Sequence, residues 1–397
     1  MNHEINIKPA KRVEELKEYW FAGKMREVAR MNAEGLDVVS LGVGGPDRMP
    51  DAEIIETLCE SARKPGNHTY QIASGIPELR AAMSKWYKRH YGVDLNPDSE
   101  VIPLIGSKEG VLHVSLAFVN PGDKVLVPNP GYMTYTGVSK MLGAEIIPYD
   151  LKADDGWRPD FDQLEKFAAE GGIKLMWVNY PNMPTGACAD IQLFEQLVDF
   201  GKRHGIVIVH DNPYSFILND KPLSLLQIPG AKDIAIELNS LSKSHNMAGW
   251  RMGMVASNAE FTGWVRKMKS NIDSGQFKPV MEAAIKALEV PDSWYRELNE
   301  VYASRRRVAE KIMTALGCTF DSAQRGLFLW GKMPDGVGDS AEFADKILHE
   351  ARVFIVPGFI FGSNGESYIR ISLCATEDRM MTALERIKQL TSTTDNK

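Results

Sequence analysis

Cysteine is scarce and scattered in this chain of 397 residues: Cys59, Cys188, Cys318 and Cys374 lie far apart and form no CxxC pair. That excludes a disulfide framework and the common zinc-binding spacings, so no metal is expected, and it fits a reducing compartment. An excess of positive charge is also missing. Lys and Arg number 46 against 52 Asp and Glu, a formal net charge of −6, which removes the electrostatic basis for binding nucleic acid or an anionic membrane. No apolar run approaches the roughly 20 residues that span a bilayer. The opening "MNHEINIKPAKRVEELKEYW" has no apolar h-region of the kind a signal peptide carries. A cytoplasmic protein is expected. Nucleotide loops are absent as well. "GVGGPD" (42–47) has Asp47 where a dinucleotide fingerprint needs its last glycine, and no Walker lysine spacing occurs.

What is present is alternation. Seven short apolar runs, at 101–106, 124–128, 145–149, 174–180, 205–211, 234–242 and 252–257, read as strands, and several of them, near-continuous in β-branched and aliphatic residues, read as buried on both faces. Helical patterns lie between them, such as "KEGVLHVSLAFV" (108–119) and "IQLFEQLVDFGKRHG" (191–205), the latter closing on basic residues and Gly205. This predicts an α/β fold, a mostly parallel seven-stranded sheet with helices on both faces, over 51–290. Residues 291–397 read as a smaller α+β domain. It has a long helix at 294–316, strands near 326–331, 353–358 and 368–374, a last helix at 377–390 and a polar tail. Residues 1–50, a helix and the crossing strand "DVVSLGVG", are expected to join it.

In such sheets the chemistry lies beyond the carboxyl ends of the strands, and there the chain is rich in it. "GSKEG" (106–110) sets Ser107 and Lys108 at a helix start, where free N–H groups suit a phosphate or a plain serine cap. "PNPGYMTY" offers Tyr132 at a Pro/Gly turn, suited to stacking on a planar ligand or to packing. Asp211 ends the strand "IVIVHD", with Tyr214 three residues on, and a carboxylate at that depth needs a cationic or hydrogen-bonding partner. In "SLSKSHNMAGWRMG" (240–253), Lys243 follows Ser240 and Ser242 and precedes Arg251. Among small residues and beside another cation, a lysine is driven toward the neutral, nucleophilic amine. Taken together, these groups suit a phosphorylated pyridine aldehyde held as a Schiff base, pyridoxal 5'-phosphate.

These motifs, with "YQIASGIPELR" (70–80), "NMPTG" (182–186), "SNIDSGQFKPVMEAA" (270–284) and "YIRISL" (368–373), resemble those of the class I/II pyridoxal-phosphate-dependent aminotransferases of the aspartate aminotransferase fold type. The look is nearest to the branch that contains LL-diaminopimelate aminotransferase. The resemblance covers nearly the whole chain. It implies that Lys243 forms the internal aldimine, that Asp211 pairs with the ring nitrogen and that Tyr214 bonds the phenolic oxygen. It places Tyr132 on the ring, Ser107, Lys108, Ser240 and Arg251 around the phosphate, Ser107 and Lys108 through backbone N–H groups and Ser240 through its hydroxyl, and Ser242 among the cofactor-binding residues. Tyr70 is to reach that phosphate from the second subunit of a homodimer. Arg370 is to hold the substrate α-carboxylate, with Gly44 against it. One position departs from the family pattern Asn-Pro-Thr-Gly: Met183 stands where the asparagine bonds the phenolic oxygen. Asn182 or Asn179 is the candidate substitute, the alternative being that Tyr214 acts alone.

The implied reaction is ping-pong transfer of an amino group between an L-amino acid and a 2-oxo acid. The alternatives on the same scaffold are a lyase or decarboxylase using the same cofactor and a non-catalytic binding module. The side-chain specificity stays open, with Tyr19, Trp20 and Phe21 as candidates either for a pocket wall or for packing.

Overall fold

A computed structural model describes residues 7–16, 18 and 20–394. Seven strands, β1 (Val101–Leu104), β2 (Lys124–Asn129), β3 (Glu145–Asp150), β4 (Ile173–Val178), β5 (Val207–Asp211), β6 (Ala235–Ser240) and β7 (Gly253–Ala256), make one sheet. Their order is β1-β7-β6-β5-β4-β2-β3. All neighbours run parallel except β7, which is antiparallel to both β1 and β6. The alternation of each strand feeds two cores. Val125, Val127, Leu175, Trp177 and Val209 pack on one face, while Leu126, Met176, Val178 and Ile208 pack on the other. Strands apolar at every position have nowhere to go but between two helical layers.

The helices explain themselves locally. Ile191–His204 begins where the Asp190 carboxylate accepts from Leu193 N at 2.8 Å and ends where Gly205 turns left-handed at φ 64°. Between these caps Leu193, Phe194, Leu197 and Phe200 are fully buried, each such side chain stabilising the fold by about 1.5–3 kcal/mol.

After the helix Asp292–Ala315 a three-stranded antiparallel sheet sets Tyr368–Ser372 between Val356–Pro357 and Phe328–Lys332. The run "VFIVPG" is not the single strand its composition predicts. Val353–Phe354 pairs in parallel with Val39–Ser40, and Val356–Pro357 pairs antiparallel with Tyr368–Ser372. The chain changes partner at Ile355, so one apolar run serves two sheets. The last helix also runs further than expected, Glu377–Thr394. In its "TSTT" turn the hydroxyls bond back to the preceding turn, Thr391 Oγ1 to Ile387 O at 3.2 Å and Ser392 Oγ to Lys388 O. Asp395, Asn396 and Lys397 of the expected tail lie outside the described residues. Among the described residues no helix is long and apolar enough to cross a membrane.

Candidate active site

Five of the parallel strands and their following turns open on one cavity of about 440 Å³, within the range usual for small-molecule sites. Its floor carries Asp211 and Lys243. Asp211 is the last residue of β5 and is 4% exposed. Its Oδ2 accepts from Tyr135 O–H at 2.8 Å, and its Oδ1 is buried with no hydrogen-bond partner. Burial pushes this carboxyl up to about 6, against the opposing pull of Tyr135, His210 and Lys243. Lys243 lies one short turn beyond β6, in the helix Leu241–Ser244. Desolvation holds its ammonium below the ordinary lysine value, and Nζ donates to the Gly44 carbonyl. Gly44 has no room for a side chain, because a Cβ there would lie on the Phe328 ring.

One end of the cavity is built to meet an anion. Ser107 and Lys108 open the helix Ser107–Phe118, whose first-turn N–H groups have no intrahelical acceptor. The preceding Gly106 has φ 76°, and a Cβ there would fall on Arg251 Nη2. Only glycine lets the guanidinium close over this helix start. Arg251 is held by Ala248 O at 2.7 Å and Ile105 O at 3.3 Å. Ser240 Oγ caps Ser242 N at 3.1 Å, and both serines reach the wall. Partial burial and Arg251 lower the Lys108 ammonium.

Arg370, on Tyr368–Ser372 and 4% exposed, also lines the cavity. Its guanidinium sits 3.9 Å over the Phe328 ring and 4.8 Å over Phe361. Nη2 donates to Gly42 O at 2.8 Å, and Nη1 to Met183 Sδ at 3.1 Å. Tyr132 and Tyr214 complete the wall, and burial raises both phenols.

Eleven of the thirteen residues singled out in the sequence line this cavity: Gly44, Ser107, Lys108, Tyr132, Asp211, Tyr214, Ser240, Ser242, Lys243, Arg251 and Arg370. Two do not. Asn182 is turned into its own loop, where its Oδ1 accepts from Thr185 Oγ1 at 2.8 Å. The residue that reaches the wall is Asn179, and its carboxamide is already engaged, donating to Asp211 O at 2.6 Å and accepting from Met183 N at 2.7 Å. Tyr70 lies outside the wall and is 93% exposed. Of the N-terminal aromatics, Phe21 lines the cavity and Trp20 stacks on Phe354 at 6.3 Å, while Tyr19 lies outside the described residues. Sequence reasoning missed Tyr135. Its only signal was the second tyrosine of "YMTY", one helical turn after Tyr132.

Over residues 36–387 the chain matches the family model described as aminotransferase class I and II. The chain belongs to that family. It is 41% identical to the LL-diaminopimelate aminotransferase of Aquifex aeolicus over 96% of this chain and 98% of that protein. The Nitratidesulfovibrio vulgaris enzyme of the same name is also 41% identical, over 97% and 100%. Among solved structures, substrate-bound BacF from Bacillus subtilis superposes with a TM-score of 0.93 at 33% identity, covering 97% of this chain and 98% of that one. The protein is a pyridoxal-phosphate-dependent aminotransferase, moving an amino group between an L-amino acid and a 2-oxo acid. It is not a lyase or a binding module. The cavity fits the cofactor on a local observation: the unpartnered Oδ1 of Asp211 calls for a cationic N–H donor, and the helix start with Arg251 calls for an anion.

Beneath the anion-facing turn of the aminotransferase lies a buried ion network. Lys269, with its side chain 0% exposed, bonds Glu109 Oε1 at 3.1 Å and Asp273 Oδ2 at 2.6 Å. Glu109 accepts from His113 Nε2 at 2.7 Å and from Ile105 N, while Asp273 accepts from Gly275 N at 2.8 Å. Removing the ammonium leaves two carboxylates facing each other, so Lys269→Met is expected to destabilise the protein by about 3–5 kcal/mol. A urea unfolding curve checks this, and an unchanged midpoint would contradict it.

Proposed function

We propose that Lys243, Asp211 and Tyr214 are the catalytic residues, that Arg370 and Gly44 receive the substrate carboxylate, and that the working unit is a homodimer. When bound, pyridoxal phosphate supplies an electrophilic aldehyde and an electron-accepting ring. Everything else falls to the chain. Lys243 Nζ, kept toward the neutral amine by burial, is the nucleophile that anchors the cofactor. Once released, it is the base that takes the α-proton and the acid that returns it. Asp211 keeps a proton on the ring nitrogen by remaining charged opposite it. Arg370 fixes the carboxylate by a bidentate pair, so the Cα–H bond is presented in one orientation to Lys243. Ser107, Lys108, Ser240, Ser242 and Arg251 hold the phosphate, and Tyr132 covers the ring. Tyr214 donates to the phenolic oxygen without an asparagine beside it, because Met183 holds that place and Asn179 is spent on the backbone. Residues 1–50 and 291–397 act as the smaller domain that closes over the substrate.

The observation that carries this is the buried Asp211–Lys243 pair at the ends of β5 and β6, between an anion-binding helix start and Arg370. The homodimer rests on Tyr70, which is 93% exposed in the single chain, two residues before exposed Ile72 and two after His68, whose ring meets exposed Phe277 at 5.7 Å; exposed apolar side chains of this kind are ones subunits bury. LL-diaminopimelate, from the relatives' name, is one candidate donor.

Complementation tests the whole assignment. Tyr70→Ala should weaken phosphate binding, and Lys243→Ala should be inactive. If Tyr70 serves the partner's site, co-refolding the two variants should restore about a quarter of wild-type activity, since half of the dimers are mixed and each holds one intact site. Absence of recovery above the sum of the separate variants would remove Tyr70 from the neighbouring site.

A further inference from the structure

Two ionisable side chains sit inside the sheet, in the middle of apolar runs. His210 precedes Asp211 on β5, and Glu237 is its register partner on β6. Both are fully buried within the single chain, out of reach of a second subunit. Because side chains alternate along a strand, His210 lies on the face opposite Asp211.

The hydrogen bonds fix where the protons are. Nε2 of His210 faces the Tyr180 carbonyl at 2.9 Å, a group that can only accept. Nδ1 faces Glu237 Oε2 at 2.9 Å, and it could accept only from a proton on that oxygen. Oε2 already takes the Leu225 N–H and the Ser224 hydroxyl, each at 2.9 Å, while Tyr87 donates to Oε1 at 3.0 Å. These three donors favour the ionised carboxylate, so both imidazole nitrogens carry hydrogen. Tyr87 and Tyr91, from the helix Pro77–Tyr91 over this face, are phenols that burial raises. The helix Ile191–His204 presents the Phe194 ring, 5.0 Å from the imidazole.

We infer that His210 is an imidazolium fixed by Glu237 and Tyr180, and that it is a positioning residue: its charge keeps Asp211 ionised from across the sheet and so keeps the proton on the cofactor's ring nitrogen. This rests on the assignment of Asp211 to that nitrogen. Burial drives the Asp211 carboxyl toward its neutral form, and the pull of His210 against that outweighs the push from Glu237. The two charges do not cancel, because His210 is the chain neighbour of Asp211 and Glu237 stands one strand further off.

The first test is nitrogen NMR of the cofactor-free protein labelled at histidine. His210 is expected to show two slowly exchanging N–H protons, assigned by their loss in His210→Gln. One N–H, or none, would overturn the inference. The second test is the ring-nitrogen NMR signal of labelled pyridoxal phosphate bound to each variant, with kcat measured beside it. His210→Gln leaves the push of Glu237 unopposed. It is expected to move the signal toward unprotonated pyridine and to lower kcat about tenfold or more, the effect of one pH unit on the Asp211 equilibrium. His210→Gln/Glu237→Gln removes both charges and is expected to fall between His210→Gln and wild type. A role in packing alone predicts the reverse order, since the double variant loses more native hydrogen bonds. That order, or a wild-type signal in both variants, would overturn the inference. Asp211→Asn separates the two readings. A displaced signal there, with none in the His210 variants, removes His210 and leaves Asp211 in place, whereas an undisplaced signal in Asp211→Asn overturns both.

Discussion

Lys243→Ala is expected to lower turnover by about 10⁴-fold or more, since on the proposed assignment it removes both the anchoring nucleophile and the amine that moves the α-proton. Cofactor should still bind. Ser107, Arg251 and the helix start Ser107–Phe118 are expected to keep their geometry, because the hydrogen bond of Lys243 among the described residues goes to the Gly44 carbonyl and not to them. The checks are a single-turnover rate with an excess of amino acid and an absorbance titration with pyridoxal phosphate. The visible band of lysine-bound cofactor should be missing, while phosphate-dependent binding persists. A variant within about tenfold of the wild-type rate would refute the assignment of both roles to this side chain.

Asp211→Asn is expected to cost about 10²–10⁴-fold in rate, because a neutral carboxamide cannot hold a proton on the ring nitrogen. The same substitution should act in the opposite direction on the stability of the cofactor-free protein. Burial raises the Asp211 carboxyl from 3.8 to about 6, with Tyr135, His210 and Lys243 pulling it down and Glu237 pushing it up. Between those two values the folded protein holds a proton that the unfolded chain has released. Stability contributed by this group therefore falls as pH rises and is lowest above pH 6. The rise corresponds to about 3 kcal/mol. Cofactor-free Asp211→Asn should be more stable than wild type at pH 8 by an amount of that order, with the difference closing below pH 4. Urea midpoints at the two pH values measure it, and adding cofactor should abolish the advantage. A variant no more stable at pH 8 would show that the buried charge costs nothing.

The sheet was legible because strands buried on both faces have to be apolar at successive positions, and all seven runs became strands of one sheet. The site was half legible. Asp211 and Lys243 betray themselves as charges at the ends of apolar runs, and glycine marks the helix start beside Arg251. Arg370 and Gly44 came only through family resemblance, since an arginine inside "YIRISL" has no local signal for what it faces. Asn179 and Asn182 stand three apart around a proline turn, and composition cannot say which one the turn aims at the cavity. Tyr135 and the Lys269 network depend on partners 76 and 160 residues away. Such pairs are fixed by packing, which no short window of sequence contains.

The parallel pairing of Val39–Ser40 with Val353–Phe354 has a consequence for how the protein is made. Gly44, Met25 and Phe21 leave the ribosome before the strand that holds their segment in place and before Arg370. The β1–β7 core can assemble while synthesis continues, because its strands lie within residues 101–256. The substrate end of the active site cannot. Until residues 353–354 are made, Val39–Ser40 lacks its pairing strand, so the substrate end of the cavity is completed after the cofactor end.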